Sequence, residues 1–239
     1  ASFSSKSGLK NKIRFVLDFC RKMRLKRLWE GAVNKRVTNP YFLLVLNKSR
    51  NWQTPFAMPF WNDIGYVAHA VWMALPAGYS LVVKEHPQVS FPSMSRINFY
   101  QMAGELPGFH YFTGDNNTAE LMDSAAGVIF NGSTAGVEAL VRGKHVLALA
   151  NGAVHFDFEN APVYKVKSPD DLPRVLRECV AAQPDLQKIW AYIDAMLCFS
   201  EKSVDIFSFG IAPTEDVEYP ERLSDLLYRT LRLRGIINR

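Results

Sequence analysis

The sequence predicts an α/β fold, an open parallel sheet with helices on its faces, and two stretches carry that prediction. In residues 126–150 a short apolar run (Val128, Ile129, Phe130) meets a small polar cluster. Ala-, Val- and Leu-rich residues follow at helical spacing, and then a second apolar run extends from Val146 to Leu149. Apolar runs this short, bounded by Gly and polar residues, suit strands, so the segment reads as strand, tight turn, helix, strand. The second stretch is Leu81-Val82-Val83-Lys84-Glu85-His86-Pro87, a buried strand ending in a cation, a carboxylate and an imidazole. Pro87 then forces the chain out of regular structure and biases His86 toward an extended conformation. At 239 residues, 48% hydrophobic and 21% charged, the chain can bury a full core.

The other elements follow in order. Residues 6–36 carry eleven Lys and Arg against Asp18 and Glu30, a local charge of +9 in a chain whose net charge is +5, so the remaining residues sum to −4. Leu9, Ile13, Val16, Leu17, Phe19, Cys20, Met23, Leu28 and Trp29 recur there near a helical period, which predicts a basic amphipathic helix across a connector of residues 1–39. Its apolar stripe either packs on its own domain or attaches peripherally to anionic lipid. No stacking platform or reading motif accompanies the charge, which argues against nucleic acid.

Residues 41–47 form the first buried strand, with a polar exit through residue 53. Residues 61–75 form a helix with Ile64, Val67, Ala68, Val71 and Leu75 inward, ending at Pro76-Ala77-Gly78; Asp63 and His69 are surface or packing residues. A helix over 93–105, a strand over 109–112, a turn over 113–117 and a helix over 118–125 come next. After 150, residues 163–166 form a small strand, and Ser168-Pro169-Asp170-Asp171 has helix-start chemistry. Helices near 169–182 and 184–199 should cover the sheet, and an irregular stretch over 200–213 completes a domain of residues 40–213. A final helix over 220–234 lies in the carboxyl-terminal segment 214–239.

Chemistry concentrates at two predicted strand ends. Asn131, Gly132, Ser133 and Thr134 form the turn before a helix, where unpaired N–H groups and the positive dipole end favour a phosphate. The alternative is that Ser133 simply caps that helix. Glu138 lies about one turn beyond Thr134 on the same side and could accept hydrogen bonds from a ribose. Lys84 and His86 share one face of their strand and would stand at the carboxyl edge of the sheet, where open parallel sheets bind ligands. Cys20, Cys179 and Cys198 are widely spaced, and neither they nor the five histidines show metal-ligand spacing. No apolar run reaches the roughly 20 residues of a membrane span, and no signal-peptide pattern opens the chain, so a cytoplasmic location is the default expectation. The start at Ala1 without methionine suggests a processed or excised chain.

Together these motifs resemble the bacterial capsule polysaccharide biosynthesis family, which contains the β-Kdo glycosyltransferases of capsule assembly. The resemblance rests on Ala74-Leu75-Pro76-Ala77-Gly78-Tyr79, Val83-Lys84-Glu85-His86-Pro87, Asn131-Gly132-Ser133-Thr134-Ala135-Gly136-Val137-Glu138-Ala139-Leu140 and Gly143-Lys144, and spans roughly residues 40–165. Lys144-His145 stands where the family more often has Lys-Pro. The resemblance implies a GT-B architecture whose carboxyl-terminal Rossmann-like domain holds a nucleotide sugar, and this chain would be that donor-binding half. An amino-terminal acceptor domain would complete the enzyme. It further implies that His86-Pro87 and Ser133-Thr134 bind the phosphate of a CMP-activated donor, CMP-Kdo foremost, for transfer to a lipid-linked or polysaccharide acceptor.

By the same resemblance Gln53 lies near the interdomain cleft, and His155, in the loop after residue 150, borders the donor or packs. Asp115 or Asn117 approaches the donor, unless Asn117 caps a helix. Leaving-group charge would be stabilised by His86, in a protonated form, by Lys84 and by the Ser133 and Thr134 donors. No metal or cofactor is expected beyond the donor itself, since no Asp-x-Asp motif occurs. The nucleophile or base stays unassigned: Glu85 points opposite to its neighbours and is read as structural. Two alternatives stand beside this one, a UDP-sugar transferase or epimerase of the same architecture, and a non-catalytic nucleotide- or membrane-binding module of capsule assembly. For an enzyme with a lipid-linked acceptor, the expected location is the inner face of the inner membrane.

Overall fold

The computed structural model describes residues 4–33, 37–46, 60–61, 63–89, 92–131, 133–149 and 161–198, with side chains described from residue 13 in the first helix and to residue 194 in the last. Gln53, Gly132, His155 and the stretches 200–213 and 220–234 therefore lie outside the described residues. The chain divides into two compact units, Ala1–Asp185 and Leu186–Arg239.

The first unit opens with helix α1 (Ser4–Ala32). Leu25 and Ala32 are buried, and Leu28 and Trp29 pack on the same core. This carboxyl-terminal half lies against helix α3 (Ile97–Glu105). Strand β1 (Tyr41–Val45) follows, and its side chains are buried on both faces, as a central strand of a covered parallel sheet requires. Helix α2 (Ile64–Ala74) begins at Asp63, whose carboxylate accepts from the Gly65 and Tyr66 amides at 2.8 and 3.1 Å, so that residue is a cap. Strand β2 (Ser80–Lys84), a 3₁₀ turn over Met94–Arg96, α3, strand β3 (Phe109–Phe112) and helix α4 (Thr118–Ser124) continue the alternation.

Strand β4 (Gly127–Phe130), helix α5 (Ala135–Val141) and strand β5 (His145–Ala148) realise the strand–turn–helix–strand pattern of the sequence. Gly143, at φ 65°, ends α5: its amide bonds Leu140 O at 2.8 Å while the Lys144 amide reaches Ala139 O at 3.0 Å. That paired closure needs a left-handed residue, and glycine adopts it without penalty. Strand β6 (Tyr164–Lys165) and helix α6 (Leu172–Ala181) finish the unit. The start of α6 carries the expected chemistry, a reciprocal cap between Ser168 and Asp171 with Pro169 in the first turn. The second unit contains helix α7 (Leu186–Cys198).

All six strands are parallel in the order β3-β2-β1-β4-β5-β6, the doubly wound order in which the chain reverses its direction of travel between β1 and β4. Register aligns one row of residues across the sheet: Phe112, Lys84, Val45, Phe130, Ala148 and Lys165. The turns after β2 and β4 leave just beyond that row.

Candidate functional site

The strand order switches between β1 and β4, and doubly wound sheets receive ligands outside the carboxyl edge at such a point. Lys84 and Phe130 both pair with Val45, so β2 and β4 flank β1 and end level with it. Two strand spacings separate them, roughly 10 Å. The turns that follow, Glu85 to Gln88 on one side and Asn131 to Thr134 on the other, therefore leave the same edge of the sheet on either side of β1. The sequence predicted this pairing of strand ends, and the register produces it.

The β2 end is fastened from inside. Glu85 is buried, its carboxylate paired with Arg96 through Nε and, at 3.2 Å, through Nη2. Tyr111 donates its hydroxyl to Glu85 Oε2 at 2.9 Å. Arg96, also buried, lies 5.9 Å over the Phe99 ring, and Phe99 and Tyr100 pack on Tyr111. Burial, followed by the Glu85 charge beside it, pushes the Tyr111 phenol well above the ordinary tyrosine range. The remaining oxygen of Glu85 accepts from the His86 backbone amide at 2.8 Å. Glu85 is thus structural, as its place in the strand predicted, and its function is to hold the backbone of His86.

Lys84 corrects an expectation. Its side chain is 1% exposed rather than standing open at the edge, and Nζ donates to Glu85 O at 3.0 Å and Gly114 O at 2.9 Å. Burial pulls its ammonium below the ordinary lysine range, against the opposing pull of Glu85 and Asp115. The reason is topological: a lysine ending a strand covered on both faces can leave the core only by reaching the neighbouring loop. That loop is tightly seated. A Cβ on Gly114 would lie 2.6 Å from Pro87 Cα and 3.0 Å from His86 O, so a glycine is needed for the two loops to touch.

His86 is half-buried, and its Nδ1 accepts from the Gln88 amide at 3.2 Å. The contact holds the ring against the turn that Pro87 and Gln88 form.

The β4 end is built differently. Asn131 is buried, and its Nδ2 donates to Trp61 O at 3.3 Å, tying the turn to the segment that leads into α2. Ser133 Oγ is closed off from solvent with no hydrogen-bond partner, and Thr134, at the cap position of α5, accepts no hydrogen bond from a first-turn backbone amide. The structural alternative for this serine, a simple helix cap, is not what the geometry displays. Thr134 instead donates to Glu138 Oε1 at 3.1 Å, which confirms that the two share a face and leaves the exposed carboxylate's other positions open to a hydroxyl-bearing guest.

Asn117 caps α4 by accepting from the Ala119 amide at 3.0 Å, the second of its two predicted roles. His69 is exposed and stacks loosely on Trp72, away from any cluster of polar groups among the described residues. His145 reaches Ala182 O at 3.0 Å, and Lys144 reaches Asp123 O, so the Lys-His departure serves the outer layer. Cys20 is exposed and Cys179 buried, the latter's thiol pushed up to about 12 by burial. Arg96, Tyr111 and Gly114 escaped sequence reasoning. The one available signal was the carboxylate of Glu85 at the end of an apolar strand, which needs a partner somewhere in the chain.

Comparison with known proteins adds the following. The family described as capsule polysaccharide biosynthesis protein matches residues 13–159. No match is found among curated proteins. Similar solved structures include KpsC of Thermosulfurimonas dismutans, a beta Kdo 2,7 transferase, at 19% identity and TM-score 0.43, covering 71% of this chain and 52% of that one. The wall teichoic acid polymerase TagF is similar at 12% identity and TM-score 0.44, covering 90% and 49%. A Listeria monocytogenes protein assigned as a UDP-N-acetylglucosamine 2-epimerase is similar at 13% identity and TM-score 0.41, covering 74% and 52%. The chain spans about half the length of each of these structures.

Proposed function

Because this chain belongs to the capsule polysaccharide biosynthesis family, we propose that it is the donor-binding half of a GT-B glycosyltransferase. In this proposal it transfers a sugar, Kdo from CMP-Kdo, to a lipid-linked or polysaccharide acceptor held by an amino-terminal domain. What supports the proposal is that two unlike strand ends leave the carboxyl edge on either side of β1 at the β1/β4 switch point, one followed by His86 and the other by the unpartnered Ser133 hydroxyl.

The leaving group of a CMP-sugar is a nucleotide phosphate, so catalysis requires donors aimed at charge that grows as the glycosidic C–O bond breaks. The His86 imidazole, the Ser133 hydroxyl and the backbone N–H groups around Thr134 would share that phosphate. Gly132, in the same turn, would admit it. Glu138 would take a ribose hydroxyl while Thr134 holds its other side. Asn131 would fix the turn through Trp61. Lys84, enclosed as it is, would act through the Gly114 loop rather than touch the phosphate. The proposal assigns the charge stabilisation to these groups without a metal, leaves the attacking base to the other half, and sets the enzyme on the inner face of the inner membrane if the acceptor is lipid-linked.

Calorimetric titration of CMP, CMP-Kdo and UDP into the wild type and His86→Ala tests it. The expected outcome is CMP-selective binding, unchanged by a chelator and weakened at least about tenfold by the substitution, the worth of one charge-assisted hydrogen bond. UDP binding without CMP binding would transfer the site to the epimerase or UDP-sugar alternative.

A further inference from the structure

We infer that the amino-terminal half of α1 is an in-plane anchor for an anionic phospholipid surface. The helix changes sides along its length. Leu25, Leu28, Trp29 and Ala32 form the arc that packs on the core. At roughly 100° per residue, Val16, Phe19, Cys20 and Met23 lie on the opposite arc, with Ile13 and Phe15 beside them. All six are exposed, Phe15 by 73% and Val16 and Phe19 by 57% each. The same period sends Arg14, Asp18 and Arg21 along the core-facing arc, where they too are exposed. An apolar stripe turned away from its own core, on a helix that elsewhere packs normally, is a surface for a partner; if the proposed amino-terminal domain covered it, vesicle binding would fail in the test below.

Charge selects the occupant. Lys22 borders the stripe on one side and Arg24 on the other, while Lys26 and Arg27 follow within its arc at its carboxyl end; all four are exposed, and the acids among the described residues of α1 are Asp18, 3.8 Å from Arg21, and Glu30, 3.7 Å from Lys26. Long basic side chains flanking an aromatic and aliphatic strip suit a lipid interface, the rings entering the acyl boundary while the cations reach phosphate. A neutral apolar patch on a second copy would gain nothing from the cations, which would repel one another there. No helix among the described residues is long and apolar enough to cross a membrane, so an anchor of this kind lies along the surface.

The inference stands apart from the donor site and deepens only the expected location of the enzyme. Its test is co-sedimentation with vesicles of phosphatidylcholine alone or with about one third phosphatidylglycerol, using the wild type and the double variant Phe15→Ser with Phe19→Ser. Both rings are exposed, so the variant should fold as the wild type does. The expected result is sedimentation with the anionic vesicles, reduced about fivefold per cation removed in Lys22→Gln or Arg24→Gln and reduced by high salt. The double variant should lose at least about tenfold in vesicle affinity. Absence of binding to anionic vesicles, or binding that ignores the double substitution, overturns the inference. So does lipid-free self-association that the double variant abolishes, because a second copy would then own the stripe. CMP titration of the same variant should match the wild type; lost nucleotide affinity with intact vesicle binding would refute the anchor assignment and leave the donor site to be judged by His86→Ala alone.

Discussion

The two strand ends beside β1 hold their polar groups by opposite means. At β2, every charged group is consumed internally: Glu85 by Arg96, Tyr111 and the His86 amide, Lys84 by two carbonyls. At β4, the Ser133 Oγ is buried without a partner and Thr134 caps nothing. A buried ion pair with all its lone pairs satisfied is rigid, and it sets the position of the imidazole before any ligand arrives. A buried hydroxyl left unsatisfied costs stability, and such a cost is recovered when a ligand supplies the missing partner. One end therefore positions and the other receives.

The comparison breaks most visibly at Arg96. Arg96→Met leaves the Glu85 carboxylate uncompensated in the interior, and the expected loss is about 3–5 kcal/mol, read from the urea midpoint. CMP affinity should fall with it, because Glu85 also holds the His86 amide. A variant that unfolds as late as the wild type would mean that the pair is ornamental and the β2 end no more fixed than the β4 end.

A smaller effect at Tyr111 sharpens the same point through pH. Tyr111→Phe removes a hydrogen bond to a buried carboxylate, expected to cost about 1–2 kcal/mol at neutral pH. The phenol's pKa is raised in the folded state, so above pH 10 the unfolded chain releases a proton that the native protein keeps. Wild-type stability should therefore fall with rising pH from about 10 upward, while the phenylalanine variant lacks this slope and the gap between them narrows. Urea midpoints at pH 8, 10 and 11 would check it; parallel curves would show that burial and the Glu85 charge do not hold the phenol above its ordinary range.

What the sequence made legible follows from how local each interaction is. Short apolar runs, Pro87, Gly143 and the Ser168–Asp171 box carry information within a few residues, and β3 appears at its predicted bounds. The two strand ends were legible because each joins an apolar run to polar residues within a few positions. Lys84 and Glu85 looked alike as charged residues at a strand end, yet both turn inward. Their partners lie 30 and 11 residues away in sequence, beyond any periodicity, and a 3₁₀ turn rather than the expected helix start presents Arg96 to Glu85. Long-range ion pairing is set by which loop the sheet order brings alongside, and a sequence read segment by segment does not contain that order.

Ser133 gives the finest discrimination between the two ends. If its hydroxyl capped α5, Ser133→Ala would cost about 1 kcal/mol of stability. Since it is buried and unpartnered, the substitution should leave stability unchanged or raise it by up to about 1 kcal/mol, because a desolvated polar atom is removed and nothing is broken. The same substitution should weaken CMP binding about tenfold, the worth of one hydrogen bond to an anionic phosphate, in the protein whose unfolding it does not harm. Stability and affinity thus move apart at β4, whereas at Arg96 they fall together. A parallel fall in both for Ser133→Ala, measured by urea unfolding and calorimetry on one preparation, would place that hydroxyl in the scaffold and return the β4 end to an ordinary strand-to-helix turn.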